Sequence, residues 1–226
     1  GEERIDQLES ERKKLFTELS SSAKALTKVR MEAAVKMSAA VTGELGALSM
    51  PNAAVSVDVI PSDYDDPKSY HSYGVDEVSF LFAPHTGSKF ASLAKIASGG
   101  EMSRLMLAIE VVIASKAPVG TYVFDEVDAG VGGKAAVEVG RRLAVLAKNA
   151  QVIVVTHLPQ VAVWADNHLV VVKDQSGSIT ESSVVTLKKE ERLKEIARML
   201  AGQEDSETAQ KHAEELLEMV AKSVIS

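Results

Sequence analysis

Thr121-Tyr122-Val123-Phe124-Asp125-Glu126 is a mainly apolar run that ends in two carboxylates. A short, continuous apolar run of this kind suits a strand buried on both faces of a parallel sheet. The run extends back to 119, a second occupies 152–155, and helical patterns are predicted at 102–115, 134–148 and 158–165. Strands alternating with helices in this way predict an α/β fold. Two further strands, at 169–172 and 179–187, are expected to close the same sheet, and helices at 188–201 and 206–223, divided by Gly202, finish the chain. Ligands of such sheets bind at the carboxyl ends of the strands, which is where Asp125 and Glu126 fall. Asp125 there suits a Mg²⁺ that keeps most of its waters. Glu126 suits a general base aimed at an attacking water. An acidic turn after a core strand is the alternative, and spacing alone does not separate the two.

Two other segments converge on that edge. His157 follows the 152–155 run, 31 residues after Glu126, where an imidazole could sense a terminal phosphate. Upstream, Ser98-Gly99-Gly100-Glu101 precedes the 102–115 helix, with Glu101 standing 24 residues before Asp125. Ser98 is a good N-cap, and Glu101 three residues later completes a capping box. Exposed N–H groups at a helix start attract anions such as phosphate. Capping boxes are common, and a lone histidine at a strand end is usually a surface residue. The order of the three features carries more than any one of them.

Residues 2–48 read as one long helix, free of Pro and, between Gly1 and Gly43, of Gly. Ile5, Leu8, Leu15, Leu19, Leu26 and Val29 fall at heptad spacing, interrupted only by Arg12 and Ser22. This pattern predicts a coiled-coil seam, and no other helix of the chain is its obvious match. The alternative is an amphipathic helix packed on its own domain. Beyond it, 53–60 alternates Val55, Val57 and Val59 against Ser56 and Asp58, a half-buried strand. A second alternating strand is predicted at 75–82, with Val78, Phe80 and Phe82 on one face.

The composition, 46% hydrophobic and 25% charged over 226 residues, is that of an ordinary globular protein. A formal net charge of −7 argues against non-specific nucleic-acid binding by the whole surface. Lys188, Lys189, Arg192, Lys194 and Arg198 form the densest basic cluster, read as a solvated helix face. With no cysteine, disulfides, thiolate metal sites and Cys nucleophiles are excluded, which fits a reducing cytosol. No apolar run of about 18 residues is present, so no transmembrane helix is expected. Gly1 in place of Met suggests a processed or engineered start, and hence a fragment.

Taken together, Ala97-Ser98-Gly99-Gly100-Glu101-Met102-Ser103-Arg104, Phe124-Asp125-Glu126-Val127-Asp128-Ala129-Gly130 and Val155-Thr156-His157-Leu158-Pro159-Gln160 resemble a known set of motifs. They look like the signature, Walker B strand, D-loop (127–130) and switch histidine of ATP-binding-cassette (ABC) ATPases, in the wording of the SMC-like members that act in bacterial DNA repair. The resemblance covers 50–226, and the leading helix fits the returning arm of that family's coiled coil. Ala97 stands where many cassette proteins have Leu. The resemblance implies a fold class: the C-terminal lobe of an ABC/SMC-type P-loop ATPase head (49–226) preceded by the C-terminal arm of an antiparallel coiled coil (1–48). It implies ATP and Mg²⁺ as ligands. Ser98, Gly99 and Gly100 would contact the γ-phosphate of ATP held by an opposite head, with Glu101 closing the signature. Asp125 would serve Mg²⁺, Glu126 would activate water, Asp128 would lie on the D-loop across the dimer, and His157 would contact the γ-phosphate.

One element of that family's pattern is missing. Walker A needs G-x-x-x-x-G-K-[ST]. Gly132-Gly133-Lys134-Ala135 and Gly87-Ser88-Lys89 have neither the spacing nor the final hydroxyl, and no Q-loop candidate precedes the signature. The expected partners are therefore the N-terminal half of the same head, which would bring Walker A and the Q-loop, a second head across sandwiched ATP, and double- or single-stranded DNA ends. The expected setting is the cytoplasm, at the nucleoid, without a membrane. The chain alone is expected to be inactive. A non-catalytic dimerisation or DNA-bridging module and a transporter's nucleotide-binding subunit are the alternatives. Glu126 and His157 argue against the first, and the long heptad helix against the second.

Overall fold

The computed structural model describes residues 1–96, 98–114, 116, 119–174, 181–202 and 206–225. Helix α1 runs Glu2–Ala47, as its Gly- and Pro-free sequence dictates, and breaks at a turn in which Ser49 takes φ 66°. The heptad residues Ile5, Leu8, Leu15, Leu19, Leu26 and Val29 are all exposed. The stripe that α1 buries is a different one: Ala23, Thr27, Ala34, Val41 and Leu45.

That stripe packs in a first unit (1–46 and 50–96) on a three-stranded sheet of β1 (Ala54–Pro61), β2 (Asp76–Ala83) and β3 (Ala91–Ser92), in the order β1-β2-β3. The antiparallel register pairs Val55 with Phe82, Val57 with Phe80 and Val59 with Val78, so the alternating apolar residues of both strands share one face. The free edge of β1 is capped by α1. Val55 N–H donates to Thr42 Oγ1 (3.0 Å) and Val57 N–H to Ser38 Oγ (2.9 Å). Four residues of helix rise about 6 Å and two of strand about 6.6 Å, so hydroxyls one turn apart match alternate amides. Further along α1, buried Asp76 accepts from Arg30 Nη1 (2.8 Å) and Thr27 Oγ1 (2.6 Å), and Arg30 Nη2 donates to Tyr73 O (2.6 Å).

The second unit holds the βαβ element: β4 (Thr121–Phe124), α3 (Gly133–Ala147) and β5 (Gln151–Val154), with β4 and β5 parallel and Phe124 opposite Val154. Helix α2 (Gly99–Ile113) packs on α3, and Leu105, Leu107, Ala108, Phe124, Val139, Leu143 and Leu146 are buried. The expectation of strands buried on both faces is corrected. Tyr122 and Phe124 are buried, but Val123 is 68% exposed and Ile153 and Val155 are exposed too, because the alternation of a strand turns them to the bare face.

A second correction concerns β6 (Leu169–Asp174) and β7 (Glu181–Thr186). They do not close that sheet but pair with each other as an antiparallel hairpin, from Leu169↔Thr186 to Asp174↔Glu181. Residues 179 and 180 of the expected second strand lie outside the described residues. The helix expected at 158–165 is the single turn α4 (Pro159–Ala162), followed by α5 (Lys189–Ala201) and α6 (Glu207–Ile225). Gly202 ends α5 with φ 71°, its N–H donating to Arg198 O (2.7 Å). Ala162, Val163, Ile196, Ala197, Ala209 and Ala213 form a local core. Gly140 of α3 meets Trp164, with room for nothing larger: a Cβ would stand 2.2 Å from the ring. Lys188, Lys189, Lys194 and Arg198 of the basic cluster are exposed, as a solvated face requires, and Arg192 is half-buried. Arg192 Nη2 donates to the carbonyls of Ala162 (3.3 Å) and Val163 (3.0 Å), and Arg198 pairs with Glu195 (2.6 Å).

Candidate functional site

The predicted site residues lie in the second unit, around the N-terminus of α2 and the turn that follows β4. Ser98 is the N-cap of α2, its side chain accepting from Glu101 N–H at 3.4 Å, while Ala97 lies outside the described residues. Gly99 and Gly100 open the helix against the turn that follows β4, Gly99 meeting the Glu126 side chain and Gly100 the Ala129 backbone. A Cβ on Gly99 would stand 2.6 Å from Glu126 Oε2, and one on Gly100 would stand 2.9 Å from Ala129 Cβ and 3.1 Å from Ala129 O.

Asp125 follows the last residue of β4, where a parallel strand ends and backbone bonding to the neighbour stops. Its carboxylate is exposed, and Oδ1 accepts from Glu126 N–H (2.9 Å). Glu126 is also exposed and takes φ 56°, in the left-handed region where a non-glycine residue is strained. Residues 126–131 then form tight turns, Ala129 N–H donating to Glu126 O (3.0 Å) and Val131 N–H to Asp128 O (3.2 Å).

Asp128 is only 2% exposed. Its Oδ2 accepts from the Thr156 hydroxyl in a short bond and from His157 N–H (3.2 Å), and stands 3.4 Å from His157 Nδ1. Thr156 Oγ1 in turn accepts from Leu158 N–H (3.0 Å), so Asp128 organises the segment that follows β5. The His157 side chain is 75% exposed, free to face a ligand while its backbone is held. The structure thus brings Gly99 to Glu126, Gly100 to the 127–130 turn, and Asp128 to His157. Asp128 itself turns inward, its carboxylate satisfied within the chain.

Sequence reasoning did not single out Ser103, Arg104 or Thr156. Ser103 Oγ donates to Asp125 O (2.8 Å), and Arg104 Nη1 donates to Ala129 O (2.7 Å). Burial holds the Arg104 guanidinium below its ordinary pKa, opposed by the charges of Glu101 and Asp128. A signal existed: Arg104 lies four residues after Gly100, within the stripe Gly100, Arg104, Leu107, Ala108 that α2 buries. A cation in a buried helical stripe needs acceptors, and the only acidic turn nearby in the pattern is 125–128.

Among the described residues no group of three or more His, Asp and Glu side chains could by itself hold a metal ion. One exposed carboxylate at a strand end is the donor set expected of Mg²⁺, which takes one or two carboxylates and fills its shell with water and phosphate oxygens. Asp125 fits that role. No helix among the described residues is long and apolar enough to cross a membrane.

No family model matches the chain. Against curated proteins, it is 57% identical to the DNA repair protein RecN of Streptomyces coelicolor over 218 residues, 92% of this chain and 38% of that protein. It is 48% identical to RecN of Mycobacterium leprae over 235 residues (97% of this chain, 40% of that one), and 37% identical to RecN of Haemophilus influenzae over 215 (95% and 38%). The chain therefore spans about two-fifths of the length of these relatives. Among solved structures, the Smc head domain of Pyrococcus furiosus with an extended coiled coil, bound to the C-terminal domain of ScpA, matches with a TM-score of 0.56 at 22% identity, over 88% of this chain and 46% of that one. The Smc head domain of Pyrococcus yayanosii, with a coiled coil and joint, matches with a TM-score of 0.52 at 21% identity, over 86% and 36%. The fold is that of the SMC head, and by sequence the chain is similar to RecN proteins over about two-fifths of their length.

Proposed function

We propose that this chain is the C-terminal part of a RecN-like ATPase of DNA double-strand-break repair, and that it carries half of each nucleotide site. The observation that bears most weight is the convergence of a capped, glycine-opened helix start with two strand-end carboxylates and a histidine, all in one unit.

In this reading residues 1–48 are the returning arm of the coiled coil, and 49–226 are half of the head. The N-terminal half of the same head supplies Walker A and the Q-loop. Asp125 would hold Mg²⁺, which neutralises phosphate charge as the terminal phosphate departs. Glu126 takes a proton from the attacking water, the role its exposed carboxylate and strand-end position suit. His157, its backbone fixed by Asp128, turns its exposed ring to the γ-phosphate. Ser98, Gly99 and Gly100 present helix N–H groups to ATP held by an opposite head, with Glu101 in the first turn. Asp128 contributes by shaping the 127–130 turn that this second head meets. ATP would engage two heads, hydrolysis would release them, and the arm would carry that cycle to tethered DNA ends, in the cytoplasm at the nucleoid.

Turnover of Mg-ATP by the intact protein tests the reading. Replacement of a general base costs on the order of 10²–10⁴-fold in rate, so Glu126→Gln should remove most of the activity while nucleotide still binds. An intact protein that binds DNA ends but hydrolyses nothing would instead favour a non-catalytic bridging module.

A further inference from the structure

Ser103 and Arg104 are adjacent on α2, yet they grip the two ends of one turn. Ser103 holds the carbonyl of Asp125, Arg104 that of Ala129, and Glu126 sits between them in its left-handed conformation. Of the two, Arg104 makes the wider set of contacts. Arg104 is 6% exposed, its Nη1 stands 3.1 Å from where a Gly100 Cβ would be, and the charges of Glu101 and Asp128 both act on it. Asp128 is the residue that holds Thr156 and His157.

We infer that Arg104 is a positioning residue for hydrolysis, linking the α2 N-terminus, which faces one nucleotide, to the 125–129 turn and His157, which face another. This rests on the ATPase reading above and deepens it. Arg104 touches no reacting atom. It acts through Ala129 O and Asp128, and so fixes where Glu126 and His157 stand when the helix start is occupied. A guanidinium suits this better than an ammonium, because its planar fork holds a carbonyl in a fixed direction and keeps its charge when buried. Burial makes the arrangement stiff: a desolvated cation that loses Ala129 O is left short of an acceptor.

The test uses the intact protein with Arg104→Met and Arg104→Lys. Misplacing a catalytic group by about 1 Å costs on the order of 100-fold, so Arg104→Met should lower kcat by 10- to 100-fold while KM for ATP stays within about threefold. Arg104→Lys should recover part of kcat, since Nζ can reach one carbonyl. Amide exchange at 126–131 should quicken in both variants. A wild-type kcat in Arg104→Lys and Arg104→Met, or a loss confined to KM, overturns the inference. If Arg104→Met does not fold, judged by its melting curve, the Arg104→Lys kcat and exchange decide alone. If the wild-type protein itself shows no turnover, the ATPase reading has failed, and unchanged exchange at 126–131 then overturns the positioning role as well.

Discussion

Gly99 and Glu126 meet at the start of α2, where a Cβ on Gly99 would stand 2.6 Å from Glu126 Oε2. The carboxylate proposed as general base therefore rests against the glycine proposed to face a phosphate. The partial positive charge of a helix N-terminus favours a carboxylate in that place.

Gly99→Ala and Gly100→Ala should differ in kind. At Gly99 the obstruction is the far end of a flexible side chain, which can swing aside. At Gly100 it is Ala129, backbone included. Denaturant melts should show Gly99→Ala within about 1 kcal/mol of wild type, and Gly100→Ala destabilised by about 1–3 kcal/mol, as overpacking usually is. Equal effects would mean that the 127–130 turn does not lean on α2 as described.

Gly140→Ala is a test away from the site. Alanine is the better helix former by about 1 kcal/mol. The clash with Trp164, at 2.2 Å, should outweigh that gain and destabilise the protein by about 1–2 kcal/mol net. Because Trp164 is the chain's single tryptophan, its emission should shift to the red in the same variant. A more stable variant with unchanged emission would show that the ring lies elsewhere.

Arg30→Met should be among the costliest substitutions in the first unit. It strips the cation from Asp76, whose side chain is 1% exposed, and among the described residues leaves Thr27 to satisfy the carboxylate. Breaking one partner of a buried pair costs about 3–5 kcal/mol, and the partial exposure of Arg30 should bring this to roughly 2–4. The double variant Arg30→Met, Asp76→Leu should recover part of the loss in thermal melts. No recovery would deny the pairing its role.

His168 gives the fold a pH dependence. Burial, and next the charge of Arg192, hold its pKa below the ordinary 6.5, so the unfolded chain takes up the proton more readily than the folded one. Above about 6.5 neither state is protonated there and nothing is lost. As pH falls below that value the unfolded state gains, and stability drops. Wild type should therefore lose more Tm than His168→Gln between pH 7.5 and 5.5. Parallel losses would contradict the assignment.

The strand-end carboxylates and the helix start were legible because single features wrote them: an apolar run that stops at Asp125, and Ser98 followed by two glycines. The long helix was legible for the same reason, since nothing in 2–42 can break it. What the sequence hid was determined by contact between distant segments. Strands β6 and β7 read as sheet strands whatever they pair with, so their separation as a hairpin had no local sign. The bare face of β4 could not be read because Val123 is as apolar as Phe124, and only the position of α2 and α3 decides which is covered. Arg104 and Thr156 were overlooked because each is defined by an acceptor 25 or 28 residues away.

Turnover of Mg-ATP bears most directly on the central claim, that this chain holds half of a hydrolytic site. The intact protein, its Glu126→Gln variant and the 226-residue chain alone would be compared at equal concentration. The account predicts measurable turnover in the first, a loss on the order of 10²–10⁴-fold in the second, and none in the third. Turnover by the chain alone that vanishes in its own Glu126→Gln variant, or an intact protein indifferent to that substitution, would contradict it.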